Sequence, residues 1–277
     1  MKFYSHSEIS TYLDCQKKWE LTYLKGLRLD NIHFQFGTMA HKVMETRVIP
    51  DETLYPNLKD AFNIKSWNNY FTTILNELDD RMKNYECLHR ELEFELDNIR
   101  GVIDAVWFNK NTKRYLITDY KFSNTIKTHT DVLLDEQMYI YAVAFGVKNK
   151  IPISNIDIGY INIPKVETSE PRVLRNGTLS KDKSQNTTYD KYLKAIQENN
   201  LNVDDYSDIL EDLKNKKLLQ ISITRINEDM LMRIMENIDK TIQDMNKGYV
   251  LEKCSFMCKR CEYLPYCKYN KEIPRCE

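Results

Sequence analysis

Two aspartates and a lysine raise the first question of chemistry. In GVIDAVWFNKNTKRYLITDYKFS (residues 101–123) each of two apolar stretches carries an aspartate, Asp104 and Asp119, and Lys121 follows two residues after the second. A turn centred on Asn111–Thr112 pairs 110 with 113, 108 with 115 and 104 with 119. The two aspartates then face each other with Cβ atoms about 4.5–5.5 Å apart, and alternation brings Lys121 to the face of Asp119. Facing carboxylates repel and raise each other's pKa. A divalent cation that favours hard oxygen ligands, Mg²⁺ or Mn²⁺, relieves the conflict. It would lower the pKa of a bound water and neutralise charge developing on a phosphorus, while the lysine orients or deprotonates that water or holds the phosphate. The competing reading is an exposed sheet face with ordinary charges. Val102, Ile103, Val106, Leu116 and Ile117 favour buried, central strands instead.

A second constellation lies near the end of the chain, in CSFMCKRCEYLPYC (254–267). Cys258, Cys261 and Cys267 place three thiols within ten residues, a density that suits a metal rather than packing. Soft thiolates select zinc or an iron–sulfur cluster. The fourth ligand is either Cys254, which would complete a local zinc-type knot, or Cys15 in SEISTYLDCQKKWEL. Cys87 and Cys276 have no partners at ligand spacing.

These groups need elements to position them. Ile9, Tyr12, Trp19 and Tyr23 recur at helical spacing and predict a helix over 5–25, capped by Ser5 or Ser7. Helices are expected at 38–48, opening after Gly37, and at 66–85. In RELEFEL (90–96), Leu92, Phe94 and Leu96 alternate with three glutamates, as in a strand covered on one side. The hairpin 101–121 follows, then a helix at 131–146 and a strand at 156–164, as in a βαβ unit. Residues 165–187 are polar and turn-rich, a loop or projecting hairpin. Helices at 188–199 and 203–216, a strand at 218–224 and a helix at 227–247 complete a single α/β domain spanning 1–277.

Composition narrows the classes. With 277 residues and 42% hydrophobic content the chain can bury a proper core. A net charge of −1, from 40 basic and 41 acidic residues, means that any polyanion must bind through local patches. Candidate patches are Lys17, Lys18, Trp19, Tyr23, Lys25 and Arg28, and Arg172, Arg175, Lys181 and Lys183 in the loop. No apolar run approaches the roughly 18–20 residues of a membrane helix, and the start of the chain is polar, so no membrane association and a cytoplasmic location are expected. Seven cysteines without an export signal point to reduced thiols or metal ligands.

The strand pair GVIDAV…YLITDYK resembles the core of the PD-(D/E)XK nuclease superfamily, with Asp104 as the first acid and Asp119-x-Lys121 as the second element. Asp119 stands where many members carry glutamate. FGTMAHKVME (36–45) is similar to the Gly-x-x-x-His helix of the RecB/AddB-type branch, and Gln137-Met-Tyr-Ile-Tyr141 resembles its Gln-x-x-x-Tyr motif. An N-terminal cysteine followed at a distance by Cys-x2-Cys-x5-Cys resembles that branch's iron–sulfur clasp, although Gln16 replaces the proline often found after the first cysteine. The resemblance implies a central mixed β-sheet of this nuclease type flanked by helices, with helical N- and C-terminal segments (1–30 and 250–270) joined by a metal cluster. It implies catalysis by Asp104, Asp119 and Lys121. The Mg²⁺ or Mn²⁺ ligands would be His41, Asp104, Asp119 and the carbonyl of Tyr120, with Glu45 orienting His41. It further implies a [4Fe–4S] cluster on Cys15, Cys258, Cys261 and Cys267, and substrate contacts from Gln137 and Tyr141.

The expected activity is exonucleolytic hydrolysis of DNA, single-stranded or at duplex ends, in recombination, repair or CRISPR-type processing. The loop 165–187 would act as a flap, and a recombination or helicase protein could be a partner. The rival from another class is a nucleic-acid-binding or assembly subunit that keeps the fold without the chemistry.

Overall fold

The protein is described by a computed structural model covering residues 2–29, 31–248, 250–251 and 256–267. Its centre is a five-stranded mixed sheet in the order β1-β2-β3-β4-β5. The strands are β1 (Tyr85–Leu96), β2 (Ile99–Asn109), β3 (Tyr115–Phe122), β4 (Ile156–Ile163) and β5 (Gln220–Arg225). β1, β2 and β3 form an antiparallel meander. β4 runs parallel to β3 and antiparallel to β5. The crossover that makes β3 and β4 parallel carries α6 (His129–Leu134) and α7 (Glu136–Asn149), the expected βαβ unit.

Helices cover both faces, which explains why the middle strands are apolar on both sides. One core joins β-sheet residues such as Ile103, Ile117 and Ile158 to α1 (His6–Asp14), α7 and α10 (Glu228–Lys247). The opposite core joins Ala105, Leu116, Tyr120 and Ile161 to α3 (Ile32–Thr46), α4 (Pro56–Phe62) and α5 (Trp67–Arg81). Trp67, Phe71, Ile74 and Leu78 of α5 are wholly buried. At about 1.5–3 kcal/mol per side chain, that stripe alone anchors the helix to the sheet. A smaller third core is built by α8 (Tyr189–Glu198), α9 (Ser207–Asn215), Tyr206 and Leu179. It pins the 165–187 segment: Tyr206 Oη accepts the Leu179 N–H at 3.2 Å, and Tyr192 Oη donates to the Ser180 carbonyl at 2.9 Å.

The helices differ from expectation in several places: α4 was not expected, and the helix expected at 203–216 is a 3₁₀ turn, Val203–Tyr206, followed by α9. Residues 5–25 form two helices, because Cys15 is extended (φ −157°, ψ 107°), ending α1 and capping α2 (Gln16–Trp19), which runs on as a π-helical turn, Glu20–Leu24. The apolar spacing continues through the break and conceals it. α3 begins at Ile32 rather than after Gly37, since Asn31 caps it by accepting the His33 N–H at 2.8 Å. The crossover helix is interrupted at Asp135, which ends α6 and caps α7. α10 runs as expected between an Asn227 cap and Gly248 at φ 72°, a conformation that favours glycine.

Candidate active site

The β2–β3 ladder pairs Ala105 with Thr118 and Phe108 with Tyr115, the register expected from the turn. The two acids lie one step beyond its last pair, and there the backbone changes role. Asp104 Oδ2 accepts the main-chain N–H of Tyr120 at 2.8 Å, so the carboxylate ties the strands together where the regular ladder stops. Asp119 Oδ2 lies 2.8 Å from Lys121 Nζ. Both acids are buried, at 7% and 5% exposure. Burial, reinforced by the charge of Asp104, pushes the Asp119 carboxyl up to about 7 despite the lysine.

His41, projecting from α3, completes the group. Its Nδ1 lies 3.3 Å from Asp104 Oδ2 and 3.9 Å from Glu91 Oε1. Burial works against the imidazolium, but the Asp104 and Glu91 carboxylates beside it and the nearby charge of Asp119 outweigh it and raise His41 to about 10. A positive charge is thus favoured where the acids converge. His41, Glu91 and Asp104 each offer one donor atom within 4.8 Å of the others, a nitrogen and two carboxylate oxygens that suit Mg²⁺ or Mn²⁺. The residues therefore fit a divalent cation.

Glu91 was expected to face away with Glu93 and Glu95. Instead it has φ 50°, the left-handed region, in mid-strand. The sheet rolls over at this point. Ile103 belongs to one core and Ala105 to the other, although residues two apart in a regular strand share a face. Leu92 packs on the first core, while Cys87 packs on the second across a register shift at Cys87/His89. Glu45 makes no contribution of the kind expected. It pairs with Lys42 at 2.6 Å, and the partners of His41 are Asp104 and Glu91.

Lys121 is held from two directions. Its Nζ sits 4.9 Å from the ring centre of Tyr160, the β4 residue paired with Asp119, as well as beside Asp119. Tyr160 Oη donates to Asp135, whose carboxylate also accepts the Gln137 N–H at 2.8 Å. Gln137 Nε2 in turn donates to Tyr141 Oη at 2.5 Å. One α7 cap therefore connects Lys121 with the Gln-x-x-x-Tyr pair. Gln137 shares a cleft of 340 Å³ with Gly37, His41, Asp104, Asp119, Tyr120 and Lys121. Tyr120 reaches this group through its backbone, and its ring is buried in the α3–α5 core.

Two further lysines, Lys127 and Lys165, line the same cleft. Sequence reasoning missed both. Asn162 fixes the Lys127 backbone by accepting its N–H at 2.8 Å and donating to its carbonyl at 3.0 Å. Lys165 Nζ stands over Phe36 and Phe62, 5.4 and 5.3 Å from their ring centres. The basic clusters that were expected to track phosphates are largely engaged with acids. Lys17 and Lys25 pair with Glu20, Lys18 with Glu262, Arg172 with Asp182 and Lys183 with Asp212.

The model of the PD-(D/E)XK nuclease superfamily matches residues 4–268, nearly the whole chain. The chain belongs to the PD-(D/E)XK nuclease superfamily. The five-stranded mixed sheet between helical layers fits that family. No curated sequence matches the chain. Among solved structures, a protein from Eubacterium rectale provisionally assigned as an exonuclease is similar at 9% identity and a TM-score of 0.48, over 99% of this chain and 90% of that one. No helix among the described residues is long and apolar enough to cross a membrane.

In this PD-(D/E)XK chain none of Cys15, Cys258, Cys261 and Cys267 lines the cleft. Cys15, Cys258, Cys261 and Cys267 are half-buried, and none is disulfide-bonded. Cys254 and Cys276 lie outside the described residues. Cys15 Sγ accepts the Lys18 N–H at 3.5 Å. The terminal segment folds as two short 3₁₀ turns, Phe256–Arg260 and Leu264–Tyr266, closed by bonds from Cys261 N–H to the Cys258 carbonyl (3.1 Å) and from Cys267 N–H to the Tyr263 carbonyl (3.1 Å). This segment docks on the region that follows Cys15. Tyr263 Oη donates to the Leu27 carbonyl at 3.3 Å, Lys18 stands over the Tyr263 ring at 5.6 Å, and Asn31 donates to Glu262 at 3.4 Å. Gln16, which stands where the resembled branch often has proline, uses its side-chain oxygen to accept the Leu251 N–H at 2.5 Å.

Proposed function

We propose that the protein is a Mg²⁺- or Mn²⁺-dependent deoxyribonuclease of exonuclease type, acting on single strands or duplex ends in recombination, repair or CRISPR-type DNA processing. The observation that carries this reading is the convergence of Asp104, Asp119, Lys121 and His41 on one cleft. His41, Asp104, Asp119 and the Tyr120 carbonyl would hold the cation. When bound, such a cation supplies Lewis-acid polarisation of a phosphoryl oxygen and an acidified water.

The chain's own groups do the rest. Asp104 is locked by the Tyr120 N–H and does not need to reorganise. Lys121, steadied between Asp119 and the Tyr160 ring, presents its ammonium to the attacking water or to a phosphate oxygen. Lys127 and Lys165 offer positive charge to the flanking phosphates, and Gln137 and Tyr141 contact the substrate beside Lys121. A localised basic cleft in a nearly neutral protein makes binding strongly salt-dependent.

At the chain ends, we read Cys15, Cys258, Cys261 and Cys267 as ligands of a structural [4Fe–4S] cluster. The docking of the three-cysteine turn beside the helix that Cys15 caps supports this reading. The cluster would clasp the termini and take no part in hydrolysis.

Digestion of end-labelled DNA with Mn²⁺ tests the enzyme reading. Cleavage by the wild type, lost in Asp119→Ala, is expected. Absence of cleavage with either cation would turn the assignment to a binding subunit. Metal analysis and the visible spectrum of anaerobically purified protein test the clasp: iron with a brown colour is expected, and a colourless zinc protein would refute it.

A further inference from the structure

The cation ligands assigned above come from α3, β2 and β3. Strand β1 contributes none, yet one of its residues, Glu91, has a distorted backbone and faces the site. Glu91 leaves the alternation of its neighbours through a left-handed backbone at φ 50°, and its carboxylate lies 3.9 Å from His41 Nδ1. β1 residues 90 and 92 pair with β2 residues 105 and 103, so Glu91 falls across from Asp104. Glu93 and Glu95, which keep the regular alternation, are exposed, whereas Glu91 is half-buried. A non-glycine residue adopts this backbone at a cost, and a structure tolerates such a cost where something else holds the residue in place. His41 alone is a modest reason, since it already has Asp104 at 3.3 Å.

Asp119 stands apart from this set. Its Oδ2 is engaged by Lys121 at 2.8 Å, and the close grouping of donor atoms consists of His41, Glu91 and Asp104. We infer that Glu91 is a direct protein ligand of the divalent cation, drawn into the site by the roll of the sheet at β1–β2. The cation would then gain a ligand from a fourth element, β1, beside those proposed from α3, β2 and β3. Glu91 would add a further carboxylate to those of Asp104 and Asp119 around the ion, which favours hard cations over zinc. This inference rests on the proposed nuclease site and specifies its ligand set.

The test measures Mn²⁺ binding to metal-free protein by titration calorimetry, for wild type, Glu91→Gln and Glu91→Gly. The glutamine keeps the shape and a polar oxygen near His41 while removing the charge. The glycine suits the left-handed backbone and removes the side chain. Melting temperature in EDTA is recorded alongside. We expect wild type to bind, both variants to lose at least tenfold in affinity, and both to keep the metal-free melting temperature, with the glycine variant equal or higher. Mn²⁺ affinity within twofold of wild type in Glu91→Gln would overturn the inference and leave Glu91 as a partner of His41 only. Failure of the wild type itself to bind Mn²⁺ would overturn the cation site as a whole, a result distinct from the first.

Discussion

The cleft and the cysteine turn are built on different terms. In the cleft, the groups proposed to ligate and react sit on strands and helices whose apolar faces are buried: Ile103 and Ala105 flank Asp104, Thr118 and Tyr120 flank Asp119, and Ala40 precedes His41. Their positions follow from the sheet and its two cores, so the site has its form before any ion arrives. At the chain ends, Cys258 lies in a 3₁₀ turn and Cys261 and Cys267 directly follow such turns, in a segment with few buried apolar groups, Tyr263 being the main one. There the docking rests on polar contacts at the surface, which contribute little individually. A bound cluster would supply much of the order of that region. The fold thus forms the proposed cation site by itself, whereas a metal would help to make the other.

Several experiments press on this contrast. The largest effect is expected from Asp104→Ala or Asp119→Ala, which should lower cleavage by about 10³-fold or more, roughly 4 kcal/mol of barrier, while iron content stays unchanged. Activity and metal analysis on the same preparations check both halves.

Cys261→Ser should do the reverse. Tying residue 15 to residue 258 closes a loop long enough to stabilise the fold by as much as about 5 kcal/mol on the chain-entropy model. At about 2–4 °C per kcal/mol, its loss should lower the melting temperature by roughly 10 °C or more, with cleavage retained in the fraction that stays folded. An unchanged melting temperature would remove the structural role.

A third effect is on pH. In the metal-free protein His41 is raised to about 10 from 6.5, so its stabilising share is complete below 6.5 and is lost as pH rises toward 10. Asp119, raised to about 7 from 3.8, stabilises through its protonated form and loses that share between those values. Both protons compete with a cation. Mn²⁺ affinity should therefore rise with pH through 7 and on toward 10, with protons released on binding. Calorimetry in buffers of different ionisation enthalpy measures the release.

Smaller still, Tyr160→Leu should lower kcat about tenfold with little change in KM, because Lys121 loses the ring beneath its ammonium. Tyr160→Phe keeps the ring and loses only the bond to Asp135, so it should cost less. Glu45→Ala should change cleavage by less than about twofold, the outcome for a surface pair with Lys42.

Much of the central fold was legible because period-two alternation and short turns leave a clear trace. The 105–118 register, the βαβ crossover and α10 with its Asn and Gly ends all follow from local patterns. The grouping of Asp104, Asp119 and Lys121, the residues proposed for catalysis, was legible for the same reason, since one hairpin carries all three. Glu91 was hidden because a left-handed glutamate in a strand has no local signature and the alternation of its neighbours is regular. The break at Cys15 was hidden by an apolar stripe that continues across it. Asp135 did carry a usable signal, an aspartate just before Glu136-Gln137, as expected at a helix start. Lys127 and Lys165 reach the cleft only because β3 and β4 end side by side, a long-range fact that no single stretch encodes.

The short reversal at Asp97–Asn98, between β1 and β2, sets the phase of Glu91 against Asp104. Surface reversals ordinarily tolerate gain or loss of a residue. Here a one-residue change that slid β1 along β2 would carry Glu91 out of step with His41 while Asp119 and Lys121 stayed in place. Chain length at that remote bend is therefore tied to ion coordination, and homologues that alter it should have either a compensating bulge or a different acid at the position of Glu91.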